Sequence, residues 1–187
     1  GEAACFAPPT VGGGINGAPC TNLDKSTKED GNTPKLNVTY KLTDDAMVYA
    51  TYSEGFRPGG INRRGTLPPY GADYLKNYEL GWKTSWAENR FRLNGAVFQE
   101  DWDDIQFSYL GANGLTEIRN AGKARIRGVE ADFAFAATSN LMLNGGVAYI
   151  DSQLEEDYCE DASSPDCPDA PKGARLPVTP EFKGNLT

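Results

Sequence analysis

The sequence predicts an all-β fold: a segment of an antiparallel, up-and-down transmembrane β-barrel. Apolar and polar residues alternate in about seven stretches, which is typical of strands that separate two environments. Tight polar turns and long loops join these stretches alternately, as in an outer-membrane barrel wall with short periplasmic turns and long extracellular loops. Each stretch spans about 8–14 residues, close to the roughly 9–11 residues with which a tilted strand crosses a bilayer.

The alternation assigns one apolar set to each predicted strand. In chain order, the sets are Leu36, Val38, Tyr40 and Leu42; Val48, Ala50 and Tyr52; Tyr78, Leu80 and Trp82; Phe91, Leu93, Gly95 and Val97; Val129, Ala131, Phe133 and Phe135; Leu141, Leu143, Val147 and Tyr149; and Phe182, Gly184 and Leu186. The intervening positions carry Glu79, Lys83 and Glu130, which we assign to an aqueous lumen. A Lys facing lipid at mid-depth would cost about 2–4 kcal/mol.

The connections support this assignment because their lengths alternate. A soluble β-sandwich would not show such a strict asymmetry. The predicted tight turns are Thr43–Asp45, Ser85–Asn89 and Thr138–Asn140, and the predicted long stretches run from Gly55 to Asp73, from Asp103 to Asn120 and from Gln153 to Pro180.

Aromatic residues near the ends of the apolar sets indicate a membrane-interface girdle. Tyr52, Trp82 and Tyr149 fit this role, although Tyr and Trp are also simply good strand formers. About seven strands cannot close satisfactorily alone, since single-chain bacterial barrels have even counts from about 8 upward and lipid cannot satisfy an open edge. The sequence therefore predicts a contiguous part of a larger barrel.

Composition excludes several other classes of protein. The chain has 18 Lys and Arg against 26 Asp and Glu, a net charge of −8 and no histidine. The acidic balance argues against nucleic-acid binding, and without imidazole there is no triad, His-ligated zinc site or proximal haem ligand. Phosphate loops and nucleophile elbows are absent, so we expect no enzyme, no cofactor and no metal site. No apolar run reaches the roughly 18 residues of a transmembrane helix.

The four cysteines indicate an oxidising compartment. Cys5 and Cys20 flank a Gly-, Pro- and Ala-rich segment, while Cys159 and Cys167 flank an acidic one. The sequence contains no C-x-x-C pair, the spacing that is usual in zinc sites. Disulfides between sequence neighbours, Cys5–Cys20 and Cys159–Cys167, would each close one loop. Four cysteines allow three pairings, however, and the sequence does not select one. Four reduced thiols are the alternative.

Five motifs, in order, resemble those of TonB-dependent outer-membrane receptors. The stretch 47–60 is similar to the family's YASYSEGFRPGG strand and loop start, and 77–83 is similar to its NYELGxK strand. The remaining three are 92–106, similar to RLNxAxFxxDYxDIQ; 120–130, similar to NAGxAxIxGxE; and 175–182, similar to RLPxxP. The resemblance covers residues 34–187. The absence of a leader at Gly1 fits a mature protein or a piece of a longer one.

This resemblance implies a barrel of about 22 strands that takes up ferric siderophores or similar scarce nutrients. It implies energy supplied by TonB through a plug domain, and no stretch here resembles that plug. We assign residues 1–34 to an extracellular loop and residues 35–187 to the barrel wall. The expected partners are a ferric siderophore or other small nutrient, the TonB complex through the plug, and outer-membrane lipid with lipopolysaccharide. The implied location is the outer membrane of a Gram-negative bacterium.

Candidate ligand contacts lie in the predicted extracellular loops. Guanidinium and aromatic groups suit an anionic, aromatic iron chelate through charge-assisted hydrogen bonds and stacking. The candidates are Arg57, Arg63, Arg64, Tyr70, Trp102 and Tyr109. Solvated loop charges, girdle anchors and loop packing are the alternative roles for these residues.

Residues 151–169 form an acidic run. The stretch 151–169 carries eight acidic residues and no basic one, and we interpret it as a solvated loop, or one that binds divalent ions bridging lipopolysaccharide, in preference to a dedicated Ca²⁺ site. A small independent outer-membrane barrel or adhesin is one rival function. A soluble extracellular β-sandwich lectin is the other.

Overall fold

The computed structural model describes residues 26–62, 67–111, 114–159 and 167–187, and these contain nine β-strands. The strands are β1 (Lys35–Thr43), β2 (Ala46–Arg57), β3 (Asp73–Trp86), β4 (Phe91–Asp103), β5 (Gln106–Leu110), β6 (Thr116–Asn120), β7 (Ala124–Ala136), β8 (Met142–Leu154) and β9 (Phe182–Leu186). Within these ranges, no helix has the length and apolar character to cross a bilayer.

Seven strands form one antiparallel sheet in the order β1-β2-β3-β4-β7-β8-β9. The sheet is open, with β1 and β9 at its edges. Strands β5 and β6 form a separate hairpin, which is inserted between the sheet neighbours β4 and β7. The seven predicted strands are therefore confirmed, whereas the hairpin lies within a stretch that the sequence predicts only as a long loop.

The strand register places the predicted apolar sets on one face of the sheet. One continuous cross-strand row consists of Val38, Ala50, Leu80, Val97, Val129, Tyr149 and Phe182. Leu80 is 56% exposed and Val97 is 44% exposed, so none of the residues that the structure describes forms a layer over this apolar face. Glu79, Lys83 and Glu130 lie on the opposite, polar face, as predicted.

The two ends of the sheet differ. At the turn end, strands join through short connections, and Arg90 donates to the carbonyl oxygens of Ala136 and Ala137, both at 3.1 Å, which ties two of these turns together. At the loop end lie the β2–β3, β4–β7 and β8–β9 connections. β2 continues to Arg57, so the first long loop begins at Pro58 and not at Gly55 as predicted.

Aromatic rings cover glycines directly opposite them in four cross-strand pairs. A Cβ added at Gly95 would meet the Trp82 ring at 2.3 Å, and one at Gly128 would meet the Phe98 ring at 2.4 Å. The other pairs are Tyr49 with Gly81 and Phe133 with Gly145. Trp82 thus packs over a glycine within the sheet instead of anchoring a strand end, and Trp86, which ends β3, is the exposed terminal aromatic.

A small hydrophobic core lies at the loop end. It comprises Ile105, Ala124, Leu154 and Leu176, each at most 8% exposed. Ala124 and Leu154 belong to the polar face of the sheet, so this core joins that face to the two long loops that follow β4 and β8. The loops are consequently held against the sheet by buried apolar contacts as well as by hydrogen bonds.

Candidate functional site: the cap at the loop end

Arg57 and Asp73 form an ion pair where β2 ends and β3 begins. The two residues are directly opposite in the register, and Arg57 Nε donates to Asp73 Oδ2 at 3.1 Å. The Asp73 side chain is only 3% exposed, and its Oδ2 also accepts from the backbone N–H of Gln106 at 3.3 Å. The Arg57 side chain remains 52% exposed, which leaves part of its guanidinium available to solvent.

Trp102 lies beneath this guanidinium. The Arg57 Cζ atom is 5.8 Å from the centre of the Trp102 ring, within cation–π range. Trp102 also packs against the hydrophobic core around Ile105. The indole therefore supports the Arg57 guanidinium from below and fixes its position relative to the polar face of the sheet.

Two amide side chains join the β5–β6 hairpin to the β2–β3 loop. Gln106 Nε2 donates to the carbonyl oxygens of Pro58 and Gly71, both at 3.0 Å. Asn120 exchanges two hydrogen bonds with Gly71, at 2.7 and 3.0 Å, and donates to the Asp104 carbonyl at 2.7 Å. Because each amide satisfies several backbone groups, the hairpin and this loop form one structure, which we call the cap.

A third amide repeats this arrangement further along the hairpin. Asn62 Nδ2 donates to the Ile118 carbonyl at 2.8 Å, and the Ile118 N–H donates back to Asn62 Oδ1 at 2.7 Å. Asn62 is 4% exposed. A buried amide with both functions satisfied in this way fixes the relative position of the two segments.

Glu117 carries a buried carboxylate within the hairpin. It is 1% exposed, accepts from the Tyr109 hydroxyl at 3.2 Å and lies 4.0 Å from Arg119. Arg119 in turn lies over the Tyr109 ring at 5.6 Å. Tyr109 thus belongs to a packed charge cluster of the hairpin.

The segment before β1 is attached to the cap by Glu29. Its Oε2 accepts from the Gly59 N–H at 2.7 Å, and its Oε1 accepts from the Ala72 N–H at 3.0 Å. A side chain at Gly59 would collide with this carboxylate, since an added Cβ would lie 2.8 Å from Glu29 Oε1. One carboxylate therefore joins three stretches of chain.

The described part of the acidic run is largely engaged with neighbouring groups. Glu155 pairs with Arg125 at 3.2 Å, Glu156 pairs with Lys123 at 3.6 Å, and Asp157 accepts from the Lys172 N–H at 2.6 Å. Across the described ranges, no group of three or more potential ligands could hold a metal ion.

The structure selects one of the open disulfide pairings. Cys159 is bonded to Cys167 in the β8–β9 loop, while Cys5 and Cys20 lie outside the described residues. Beside this disulfide, Tyr158 packs on Phe107 of β5 with ring centres 5.5 Å apart. The β8–β9 loop thereby contacts the cap.

The structure brings together some of the predicted ligand contacts but not all. Arg57 and Trp102 meet, and Tyr70 lies in the same loop, where its backbone pairs with Gly60. Tyr109 is instead engaged with Glu117 and Arg119. Arg63 and Arg64 lie outside the described residues.

Several residues that build the cap were not among those predictions, namely Glu29, Asn62, Asp73, Gln106 and Asn120. Gln106 and Asn120 do occur inside the motifs on which the family resemblance depends, so the motifs contained a signal for both.

An open antiparallel sheet with an exposed apolar face, a polar face, short turns at one end and packed loops at the other defines a wall segment of a membrane β-barrel. A family model described as "TonB dependent receptor-like, beta-barrel" matches residues 10–187. The chain belongs to this family, which confirms the resemblance seen in the sequence. Its members are outer-membrane receptors of Gram-negative bacteria and not enzymes.

Individual relatives agree with this assignment. The chain is 31% identical over 176 residues to the pesticin receptor of Yersinia enterocolitica, covering 91% of this chain and 24% of that protein. It is 32% identical over 106 residues to the ferric-pyoverdine 358 receptor of Pseudomonas putida, covering 54% of this chain and 13% of that protein. The chain thus spans about a quarter or less of the length of these curated relatives.

A solved structure shows the same arrangement of strands. The ferric yersiniabactin uptake receptor FyuA from Yersinia pestis matches with a TM-score of 0.60 and 25% identity, covering 81% of this chain and 22% of that one. The siderophore receptor PiuA from Acinetobacter baumannii matches with a TM-score of 0.61 at 19% identity, which supports the fold alone. A soluble β-sandwich is therefore the wrong alternative.

Proposed function

We propose that this chain forms part of the wall of an outer-membrane receptor that imports a ferric siderophore or a similar scarce nutrient, with energy from TonB delivered through a plug domain. Residues 35–187 contribute the wall, and residues 1–34 contribute an extracellular loop. The wall separates lipid from an aqueous lumen, and the long loops face the medium. Outer-membrane lipid and lipopolysaccharide surround the apolar face.

The single observation that supports this function best is the cap, which places a half-exposed guanidinium over an indole at the loop end of the polar face. A cation held on an aromatic platform suits an anionic chelate with aromatic groups. Arg57, Tyr70 and Trp102 are the proposed contacts in the described part, Tyr109 acts through the hairpin, and Arg63 and Arg64 of the same loop complete the proposed set.

The test uses the complete receptor, expressed in a strain that lacks its own siderophore receptors and supplied with radioiron-loaded yersiniabactin and pyoverdine. We expect TonB-dependent uptake of at least one probe. Arg57→Gln is expected to weaken binding of that probe about tenfold, since one charge-assisted interaction is lost. Lys76→Gln is the matched control, because Lys76 is a cation at the same end but on the apolar-face side, paired with Asp103 at 3.8 Å.

Three results would contradict the proposal. Uptake that persists without TonB would remove the energy coupling. Absence of binding for every siderophore tested would remove the substrate class. Equal loss of binding in Arg57→Gln and Lys76→Gln would show that general surface charge, and not the Arg57–Trp102 pair, attracts the ligand.

A further inference from the structure

The two backbone N–H groups that hold Glu29 form a site for a carboxylate. The Gly59 N–H donates to Oε2 at 2.7 Å, and the Ala72 N–H donates to Oε1 at 3.0 Å. The donors come from the two ends of the β2–β3 loop, so one planar group with two acceptor oxygens satisfies both at once. Because residue 59 is glycine, no side chain obstructs the carboxylate: an added Cβ would lie 2.8 Å from Glu29 Oε1. This geometry suits a carboxylate from any molecule.

This carboxylate site adjoins the proposed ligand contacts. Gly59 follows Arg57 by two residues, and Ala72 immediately precedes Asp73, the partner of Arg57. The Arg57 guanidinium is half exposed and lies over Trp102. A ligand anion that approaches this guanidinium therefore reaches the same neck of the β2–β3 loop from which the two N–H groups donate.

Glu29 belongs to a segment with few other contacts to the cap. Residues 26–33 are all exposed, and within the described part of the chain Glu29 is the one residue among them that hydrogen-bonds outside the segment. Gly31 lies against the Phe56 ring, where an added Cβ would be 2.7 Å from a ring carbon. Release of this segment from the cap therefore breaks few interactions.

We propose that Glu29 is an internal competitor for this site, and that a ligand carboxylate displaces it from the Gly59 and Ala72 N–H groups. The same two groups then hold the ligand carboxylate, and the segment 26–33 is released. A carboxylate tethered in the same chain competes at an effective concentration in about the millimolar range, which weakens the apparent affinity for a free carboxylate. The inference rests on the proposed function, for which it names the substrate class: a chelate that carries a free carboxylate.

Citrate is the probe, because it carries several carboxylates, and trimethyl citrate is its neutral counterpart. Equilibrium dialysis with each radiolabelled probe measures its affinity for the complete receptor, purified in mild detergent. We expect citrate to bind more tightly than trimethyl citrate, since only charged oxygens form charge-assisted hydrogen bonds with the two N–H groups. Glu29→Ala removes the competitor, so we expect citrate to bind this variant about tenfold more tightly than the wild type.

Asp30→Ala is the matched control for the loss of charge. Asp30 adjoins Glu29 in the same segment, but its carboxylate pairs with Lys28 at 3.9 Å and its side chain is 89% exposed. The variant loses one negative charge without opening the carboxylate site. We therefore expect Asp30→Ala to bind citrate with the affinity of the wild type.

A second measurement follows release of the segment. Trypsin cleaves after Lys28, and we expect citrate to accelerate this cleavage in the wild type because the segment 26–33 is released. In Glu29→Ala, cleavage should be fast with or without citrate. Hydrogen exchange completes the comparison, since citrate should restore protection of the Gly59 and Ala72 N–H groups in Glu29→Ala. A merely structural role for Glu29 would give no such restoration.

Equal affinity of wild type and Glu29→Ala for citrate would overturn the proposal, as would weaker binding in Glu29→Ala or an equal gain in Asp30→Ala. Absence of citrate binding in every variant, or equally tight binding of trimethyl citrate, would also overturn it. Heat-modifiable electrophoretic mobility shows whether each variant is folded.

The outcomes separate this site from the proposed function, because citrate binding is measured without iron and without TonB. A receptor that binds citrate as expected but imports no chelate would refute the proposed transport function alone. A receptor that imports a chelate but binds citrate equally in wild type and Glu29→Ala would refute this site alone.

Discussion

At the scale of single residues, the loop end depends on a few polar side chains that each satisfy more than one backbone group. Gln106 and Asn120 bridge the hairpin to the β2–β3 loop, and Glu29 adds the segment before β1. A loop in which side chains replace the missing backbone partners loses little freedom on ligand binding, because it is already ordered. The cap is therefore a preorganised surface.

Asp73 is a buried acidic residue that connects two parts of the cap. Asp73→Ala removes a nearly buried carboxylate that holds both Arg57 and the Gln106 N–H, so we expect a loss of about 2–3 kcal/mol in the free energy of unfolding. Asp103→Ala is the control, since Asp103 and Lys76 are separated by 3.8 Å and are 32% and 42% exposed. That change should cost less than about 1 kcal/mol.

Urea unfolding of the complete receptor in lipid vesicles measures both values. A loss in Asp73→Ala no larger than that in Asp103→Ala would mean that the buried pair adds nothing beyond an exposed one.

The hydrogen bonds of Glu29 lead to a prediction about local opening of the segment before β1. Glu29→Ala leaves the Gly59 and Ala72 N–H groups without their acceptor, and we expect their hydrogen exchange to accelerate about tenfold or more, since one hydrogen bond to a charged group is lost at each. The Tyr70 N–H, which donates to the Gly60 carbonyl at 2.9 Å, serves as the internal reference and should remain protected. Unchanged exchange at both Gly59 and Ala72 would show that the segment before β1 is not attached in this way.

At the scale of the strands, aromatic rings lying over glycines set how closely neighbours pack. A Cβ at Gly128 would meet the Phe98 ring at 2.4 Å and the Tyr149 carbonyl oxygen at 2.9 Å, whereas a Cβ at Gly55 would meet nothing within 4 Å. We expect Gly128→Ala to destabilise the barrel by about 1–3 kcal/mol through overpacking. Gly55→Ala, in β2 on the same face of the sheet, should be neutral or slightly stabilising, because alanine has less backbone entropy than glycine to lose on folding.

The comparison uses the unfolding midpoint of each variant in the same vesicles. Destabilisation of equal size in the two variants would indicate a general intolerance of alanine in these strands and would exclude the ring–glycine contact as the cause.

The main strands could be predicted from the sequence because each of them has two chemically different sides. Val129 and Glu130 are adjacent in the chain but face different solvents, so the period of two determines both the strand and its orientation. The β5–β6 hairpin was missed because its strands are five residues each and its order depends on distant partners. Gly111 and Gly114 mark its turn, which was the available local signal.

The candidate site was less predictable because its contacts join distant parts of the chain. Arg57 was recognisable as a loop cation, but its partners Asp73 and Gln106 lie 16 and 49 residues away. Nothing in the local sequence distinguishes a solvated arginine from one supported by Trp102. Glu29 lies 30 residues from its partner Gly59, and nothing in the local sequence marks it as a residue that holds the cap.

At the scale of the whole molecule, one sheet separates two environments, and its stability depends on keeping them apart. Val129→Arg places a charge in the apolar row, 41% exposed at present, at a cost of about 2–4 kcal/mol near mid-depth. Glu130→Gln changes a charge on the polar face, where water remains available. We therefore expect Val129→Arg to reduce insertion of the complete receptor into vesicles strongly, while Glu130→Gln inserts like the wild type.

Insertion is measured by protection from added protease and by heat-modifiable mobility. The two substitutions are adjacent in β7, so position along the strand and depth in the membrane are nearly the same, and only the face differs. Equal insertion of the two variants would mean that the apolar row from Val38 to Phe182 does not contact lipid, and with it the assignment of the two faces would fail. Normal insertion of Val129→Arg together with improved insertion of Glu130→Gln would mean that the faces are reversed, since Glu130→Gln would then remove a charge from lipid.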